Sequence, residues 1–256
     1  MDEAGFLLKE KYGGEKSPAY EEDLKRLEGG EPLAYLIGWI PFLDSKIYLD
    51  SRPLIPRPET EFWTEKAIDE LSGSSFQVLA LEEKRHIKVL DLFAGSGCIG
   101  VAVLTHVPNA HVDFGEIDPA HFPTIKKNIT ECETYDVSHI RTRIIETDVW
   151  SGITDSYDIV LANPPYLSPN RKDRMGLSVI EHEPSKALFA DEDGLALIRK
   201  TIEGASEHVN ENGTLYIEHE PEQTEAISQL AKDKGFDVLT KLDQYGIKRY
   251  SVLRRL

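Results

Sequence analysis

From Ile87 onward the sequence switches at short intervals between β-branched apolar runs and amphipathic stretches. "IKVLDLF" reads as a strand and "CIGVAVLTHV" as a helix; "HVDFGEI" and "PAHFPTIKKNITEC" repeat the pair. "RTRIIET", "YDIVLA" and "GTLYIEHE" supply further strands, with the helix "GLALIRKTIEGASEHVN" before the last of these. The stripe Leu195, Ile198, Ile202, Ala205 and Val209 is expected to be that helix's buried face. After the helix "EQTEAISQLAKDKG", capped at Gly235, the strands "FDVLTKLD" and "KRYSVLRR" flank a "QYG" turn and predict an antiparallel pair. Parallel strands need crossovers, so this alternation predicts an α/β fold with a mostly parallel sheet covered on both faces. With 256 residues, 40% of them hydrophobic, the chain can bury such a core.

The first part of the chain reads differently. "SPAYEEDLKRLEGG" has the Ser-Pro start and Gly-Gly stop of a short helix. "AYLIGWIPFLDSKIYLDSRPLIPRPET" reads as a hairpin turning at "LDS". "ETEFWTEKAIDEL" places Trp63, Ala67 and Leu71 on one helical face. "SGSSFQVLALEEKRH" is the expected linker into the alternating region.

"LDLFAGSGCIG" follows a strand and opens a helix, with Gly95, Gly97 and Gly100 in a GxGxxG pattern. Such glycines permit a tight turn and close backbone approach beside the free N–H groups of a helix start. Glu116 ends the next strand at about the 20-residue spacing expected of a carboxylate on a ribose diol. Together they predict a nucleoside cofactor, either a dinucleotide or S-adenosylmethionine. Asp148 falls on the same sheet edge, where it could accept from an adenine amino group or cap its own loop. Asp91 could hold a cofactor amine or cap the glycine loop.

"DIVLANPPYLS" ends a strand with Asn163, Pro164, Pro165 and Tyr166. Ligands of open α/β sheets lie beyond the carboxyl ends of the strands, so this segment should face the same crevice as the glycine loop. The Asn163 side-chain carbonyl and the Pro164 backbone carbonyl can both receive one planar NH2 group, and the prolines stiffen them in advance. Tyr166 can stack on a flat amide or base. A planar amino nitrogen is a poor nucleophile because its lone pair is delocalised. Two fixed acceptors hold its protons and aim that lone pair at an electrophilic carbon, without a strong base.

Asp and Glu outnumber Lys and Arg 45 to 29, for a formal charge of −16. That weighs against binding built on many phosphate contacts and is compatible with a small-molecule or protein substrate, a local basic patch aside. Cys98 and Cys132 form no CxxC pair, which fits a reducing compartment and no zinc ribbon. No targeting peptide or membrane span is expected. "IEHEP" occurs at Ile180–Pro184 and again at Ile217–Pro221, without the spacing of a helical HExxH site, so no metal is expected. Cys98 opens a helix, which would lower its pKa, but a buried thiol is the reading preferred.

On these motifs the sequence resembles the class I S-adenosylmethionine-dependent methyltransferases, and within them the HemK/PrmC family of protein glutamine N5-methyltransferases. The resemblance runs from about Gly30 to the C-terminus, through "GEPLAYLIGWIPF", "RPLIPRPETEFW", "VLDLFAGSGCIG", "GEID", "TDVW", "LANPPY", "EHEPSKALFADEDGLALIRKTI" and "LYIEHEPEQ". It implies a Rossmann-like seven-stranded domain at 59–256, a β-hairpin linker at 38–58 and a small helical substrate-docking domain at 1–37. It also implies methyl transfer from S-adenosyl-L-methionine to the glutamine amide of the Gly-Gly-Gln loop in peptide-chain release factors. Carried onto this chain, Asp91, Phe93, Ala94, Gly95, Ser96, Gly97, Glu116, Ile117, Asp148, Val149 and Asn163 would bind the cofactor, and Asn163 to Tyr166 would bind substrate and carry catalysis. A cytoplasmic monomer with no direct nucleic-acid contact is expected. The helical N-terminal part is shorter than the family's, Phe93 replaces a small residue, and Glu116 replaces Asp. Alternative substrates are a ribosomal-protein glutamine or an exocyclic amino group of a base. A nicotinamide dehydrogenase would leave Asn163–Tyr166 without a role, and a non-catalytic cofactor-binding module would not need it.

Overall fold

The computed structural model describes residues 2–73, 86–132, 142–174 and 176–255. Three helices open the chain: α1 (Glu3–Tyr12), α2 (Pro18–Glu28) and α3 (Leu33–Ile37). Ser17 caps α2 by accepting from the Tyr20 N–H, and Gly29 and Gly30 end it, as the Ser-Pro and Gly-Gly punctuation predicts. Leu7, Tyr20 and Leu36 form a small apolar core among these helices.

The expected hairpin is shorter than its sequence suggested. Leu33–Ile37 is helical, because Gly38, at φ +92°, closes a helical turn with its N–H on the Ala34 carbonyl. Strands β1 (Trp39–Phe42) and β2 (Ser45–Tyr48) then pair around Leu43 and Asp44. Phe42 and Ile47 leave the hairpin to join the large core under the main sheet. Helix α4 (Pro58–Ser72) buries Trp63, Ala67 and Leu71 as predicted, and adds Thr60 and Thr64 to the same face. The expected linker lies almost wholly outside the described residues.

The main sheet contains β3 (Ile87–Leu92), β4 (Ala110–Glu116), β5 (Arg143–Glu146), β6 (Tyr157–Ala162), β7 (Val209–Glu218), β8 (Phe236–Leu242) and β9 (Lys248–Arg255). Its seven strands run in the order β5-β4-β3-β6-β7-β9-β8, and β9 pairs antiparallel with both its neighbours. Helices α5 (Cys98–His106), α6 (Phe122–Thr130), α9 (Ala196–His208) and α10 (Thr224–Asp233) cover it, with the short α7 (Leu177–His182) and α8 (Ser185–Leu188) between β6 and α9. The period of two is visible in the central strands. Val89, Ile159 and Leu161 enter one core, and Leu90, Val160 and Ala162 the other. Val209 was expected to finish α9; instead it opens β7, pairing with Tyr157 ahead of a register shift.

The order reverses between β3 and β6, where one connection leaves toward β4 and the other toward β7. A crevice opens at such a point beyond the strand ends. Leu92 and Ala162 are the last residues of these two strands and are register partners, so the glycine loop and Asn163 start side by side.

Candidate active site

The glycine loop closes against its own strands. Gly97 precedes α5 at φ +79°, and a Cβ on it would lie 3.2 Å from Ile125 and 3.3 Å from the Phe114 ring. A Cβ on Gly100 would stand 2.3 Å from that ring, so helix and sheet can approach only without a side chain there. Ala94 and Ser96 are buried; the Ser96 carbonyl accepts from Asn128 Nδ2 at 2.9 Å. Phe93 and Val149 take left-handed backbones, φ 69° and 55°, at the carboxyl ends of β3 and β5. Such strain costs ~1–3 kcal/mol per residue and concentrates where function needs it.

Two acids flank the loop. Glu116 is 6% exposed; its Oε2 accepts from Gly95 N and its Oε1 from Asp118 N, both at 2.8 Å. Asp91 is fully buried, with Oδ2 accepting from Gly100 N at 2.8 Å and Oδ1 without a hydrogen-bond partner among the described residues. Burial pushes its carboxyl up to about 8; the Gly100 bond opposes this and the Glu116 charge adds to it. Beyond them Ile117 is 59% exposed. Asp148 is exposed too, its carboxylate 3.9 Å from Lys200 Nζ, whereas Val149 is buried. Cys98 is buried at the start of α5, and burial raises its thiol pKa rather than lowering it.

Asn163, Pro164 and Tyr166 border a cavity of about 240 Å3, with Leu54, Arg57 and Leu188 among its other walls. Pro165 is buried. Asn163 Nδ2 donates to Thr60 Oγ1 at 3.1 Å. Thr60 Oγ1 donates to Glu218 Oε2 at 2.7 Å, Trp63 Nε1 to the same oxygen at 2.6 Å, and the Tyr166 hydroxyl to Glu218 Oε1 at 2.8 Å. Glu218 is 1% exposed, and burial raises its pKa against the pull of these three donors. The Tyr166 hydroxyl is raised by the same burial and by the Glu218 charge. His219 beside it is buried and held near 4, hence a neutral imidazole between Glu220 O and Ser251 Oγ.

The repeated IEHEP segments, set aside above as a metal site, have a structural use. Glu183 of the first accepts from Ile55 N at 3.1 Å and from Arg57 Nη2 at 2.6 Å. Glu218 of the second grips Thr60 and Trp63. Two buried carboxylates from different parts of the chain therefore hold one segment, 55–63, against the cavity. Sequence reasoning missed Thr60, Arg57, Glu183 and Glu218 as site residues. The available signal was two acids recurring in one pentapeptide, together with a Thr and a Trp on one face of α4.

A sequence profile described as "Methyltransferase small domain" matches residues 59–191. Among curated proteins, the release factor glutamine methyltransferase of Lactococcus lactis subsp. lactis (strain IL1403) is 34% identical over 93% of this chain and 82% of its own length. That of Streptococcus pneumoniae (strain ATCC BAA-255 / R6) is 30% identical over 97% and 84%. Among solved structures, a ribosomal protein L11 methylase from Lactobacillus delbrueckii subsp. bulgaricus superposes with a TM-score of 0.55 at 14% identity, covering 81% of this chain and 83% of that one, a likeness of fold.

Proposed function

The chain belongs to the release factor glutamine methyltransferases, and from that premise we propose how its crevice works. It transfers a methyl group from S-adenosyl-L-methionine to the side-chain amide nitrogen of the glutamine in the Gly-Gly-Gln loop of a release factor, in the cytoplasm and as a monomer. The observation that carries this reading is the pairing of Asn163 and Pro164 on the wall of one cavity, directly beyond β6 at the sheet's reversal point.

The residues around the glycine loop fit a cationic nucleoside cofactor. Asp91 has a buried oxygen without a partner among the described residues, and Gly97 gives a close-packed turn. Phe93, Ala94, Gly95, Ser96 and Gly97 would line it. Glu116 would accept from the ribose hydroxyls, with Ile117, Asp148 and Val149 around the adenine. When bound, the cofactor supplies an electrophilic methyl group on a sulfonium centre.

Asn163 Oδ1 and the Pro164 carbonyl accept the two amide protons of the glutamine and orient its nitrogen. Tyr166 stacks on the amide, its ring fixed through the bond from its hydroxyl to Glu218. Pro165 stiffens the turn. This nitrogen would take the methyl of the bound cofactor, a nitrogen–carbon bond replacing the sulfur–carbon bond, and one amide proton would leave to water. Residues 1–37 form a docking domain, supported by their own apolar core. Residues 38–58 link it to the methyltransferase domain, 59–256.

The test supplies labelled cofactor with a folded release factor, its Gln→Ala variant, ribosomal proteins and adenine-containing DNA. Label confined to the release factor with its glutamine is expected. Label on DNA, or equal label on the Gln→Ala variant, sinks the reading; label on a ribosomal protein alone keeps the chemistry and changes the partner.

A further inference from the structure

We infer that Thr60 and Glu218 are positioning residues that lock the Asn163 amide with its oxygen turned toward the methyl-accepting nitrogen. The inference rests on the role proposed above for Asn163. It follows from counting donors. The Trp63 indole has one N–H and no acceptor, so Glu218 Oε2, 2.6 Å away, must accept. Thr60 Oγ1 lies 2.7 Å from that same oxygen and commits its single proton to it. Thr60 can then only accept from Asn163, 3.1 Å away, so the amide nitrogen faces Thr60. A flipped Asn163 would set two acceptors against each other and leave its NH2 group without this partner. Glu218 Oε1 takes the Tyr166 hydroxyl at 2.8 Å, so one carboxylate sets both the amide and the aromatic wall.

These residues lie far apart in the chain: Thr60 and Glu218 are separated by 158 positions, Asn163 and Thr60 by 103. Neither Thr60 nor Glu218 borders the cavity itself. They act through Asn163, and their removal should change the rate of transfer rather than the binding of either substrate.

The experiment compares wild type with Thr60→Val, Thr60→Ser, Glu218→Gln and Asn163→Ala. It measures kcat and KM for a folded release factor at saturating cofactor, cofactor affinity by calorimetry, and the Asn163 side-chain NH2 signals by NMR, assigned by their loss in Asn163→Ala. Thr60→Val should lower kcat about tenfold or more with KM and cofactor affinity nearly unchanged, and its Asn163 NH2 protons should exchange faster with water. Thr60→Ser should restore both. Glu218→Gln should keep most of the turnover and the slow exchange, because its oxygen can still serve Trp63 and Thr60 while its NH2 donates to the Tyr166 hydroxyl. Wild-type turnover in Thr60→Val beside an inactive Asn163→Ala overturns the inference and leaves the proposed site intact. Wild-type turnover in Asn163→Ala overturns both. Loss of cofactor affinity in step with kcat in Thr60→Val would make Thr60 merely structural. Fast exchange of the Asn163 amide in the wild-type protein overturns the inference whatever the variants do.

Discussion

Arg57 Nη2 donates to Glu183 Oε1 at 2.6 Å, joining the approach to α4 with the loop after α7 across 126 positions of sequence. Glu183 is 6% exposed and also accepts from the Ile55 N–H. Removing it strands a buried N–H and an arginine that borders the cavity. Glu183→Ala should therefore destabilise the fold by about 1–3 kcal/mol. The check is a lower denaturant midpoint with an unchanged slope. A midpoint equal to wild type would show that the segment needs no such clamp.

Asn163→Ala should abolish most transfer while leaving the protein folded. Losing one preorganised acceptor in a dry site costs roughly 2.7–4 kcal/mol, on the order of a hundred- to a thousandfold in rate. Single-turnover assays at saturating cofactor measure it, and turnover near wild type would refute the two-acceptor arrangement.

Glu116→Ala should weaken cofactor binding on the order of tenfold or more, as a diol loses a charged acceptor. Part of the loss has a second source, since Glu116 also holds the Gly95 and Asp118 N–H groups. Calorimetry with unchanged affinity would remove Glu116 from the ribose site.

Asp91 predicts a pH effect of definite sign. Its folded pKa is raised from 3.8 to about 8, chiefly by burial. The folded state thus holds a proton that the unfolded state has lost, and stability from this group declines as pH rises across that window. Asp91→Asn should flatten the decline and melt higher than wild type near pH 8 without cofactor. Parallel melting curves from pH 5 to 9 would contradict the buried carboxyl.

The sheet was legible because its cause is local. Leu90, Val160 and their neighbours alternate or run apolar within a few residues, and Gly97 and Gly100 mark a turn that excludes side chains. Asn163 to Tyr166 was legible because two prolines after a buried strand have few structural excuses. The roles of Thr60, Glu183 and Glu218 were not, because their partners are brought near only by the fold. A threonine in a helix and a glutamate at a strand end look alike whether or not they meet. Helix α3 was missed for a smaller reason: its few apolar residues fit a strand equally well, and Gly38 decided the matter.

Strand β9 enters the sheet between β7 and β8, and Tyr250 pairs with Glu218. While the chain is being synthesised, β7 therefore has an open flank until Lys248–Arg255 emerge. The strand that carries Glu218 becomes interior only once β9 has been made. A chain interrupted before Lys248 would hold the glycine loop and Asn163 yet leave β7 as a raw edge, a liability that β9 removes when it pairs there.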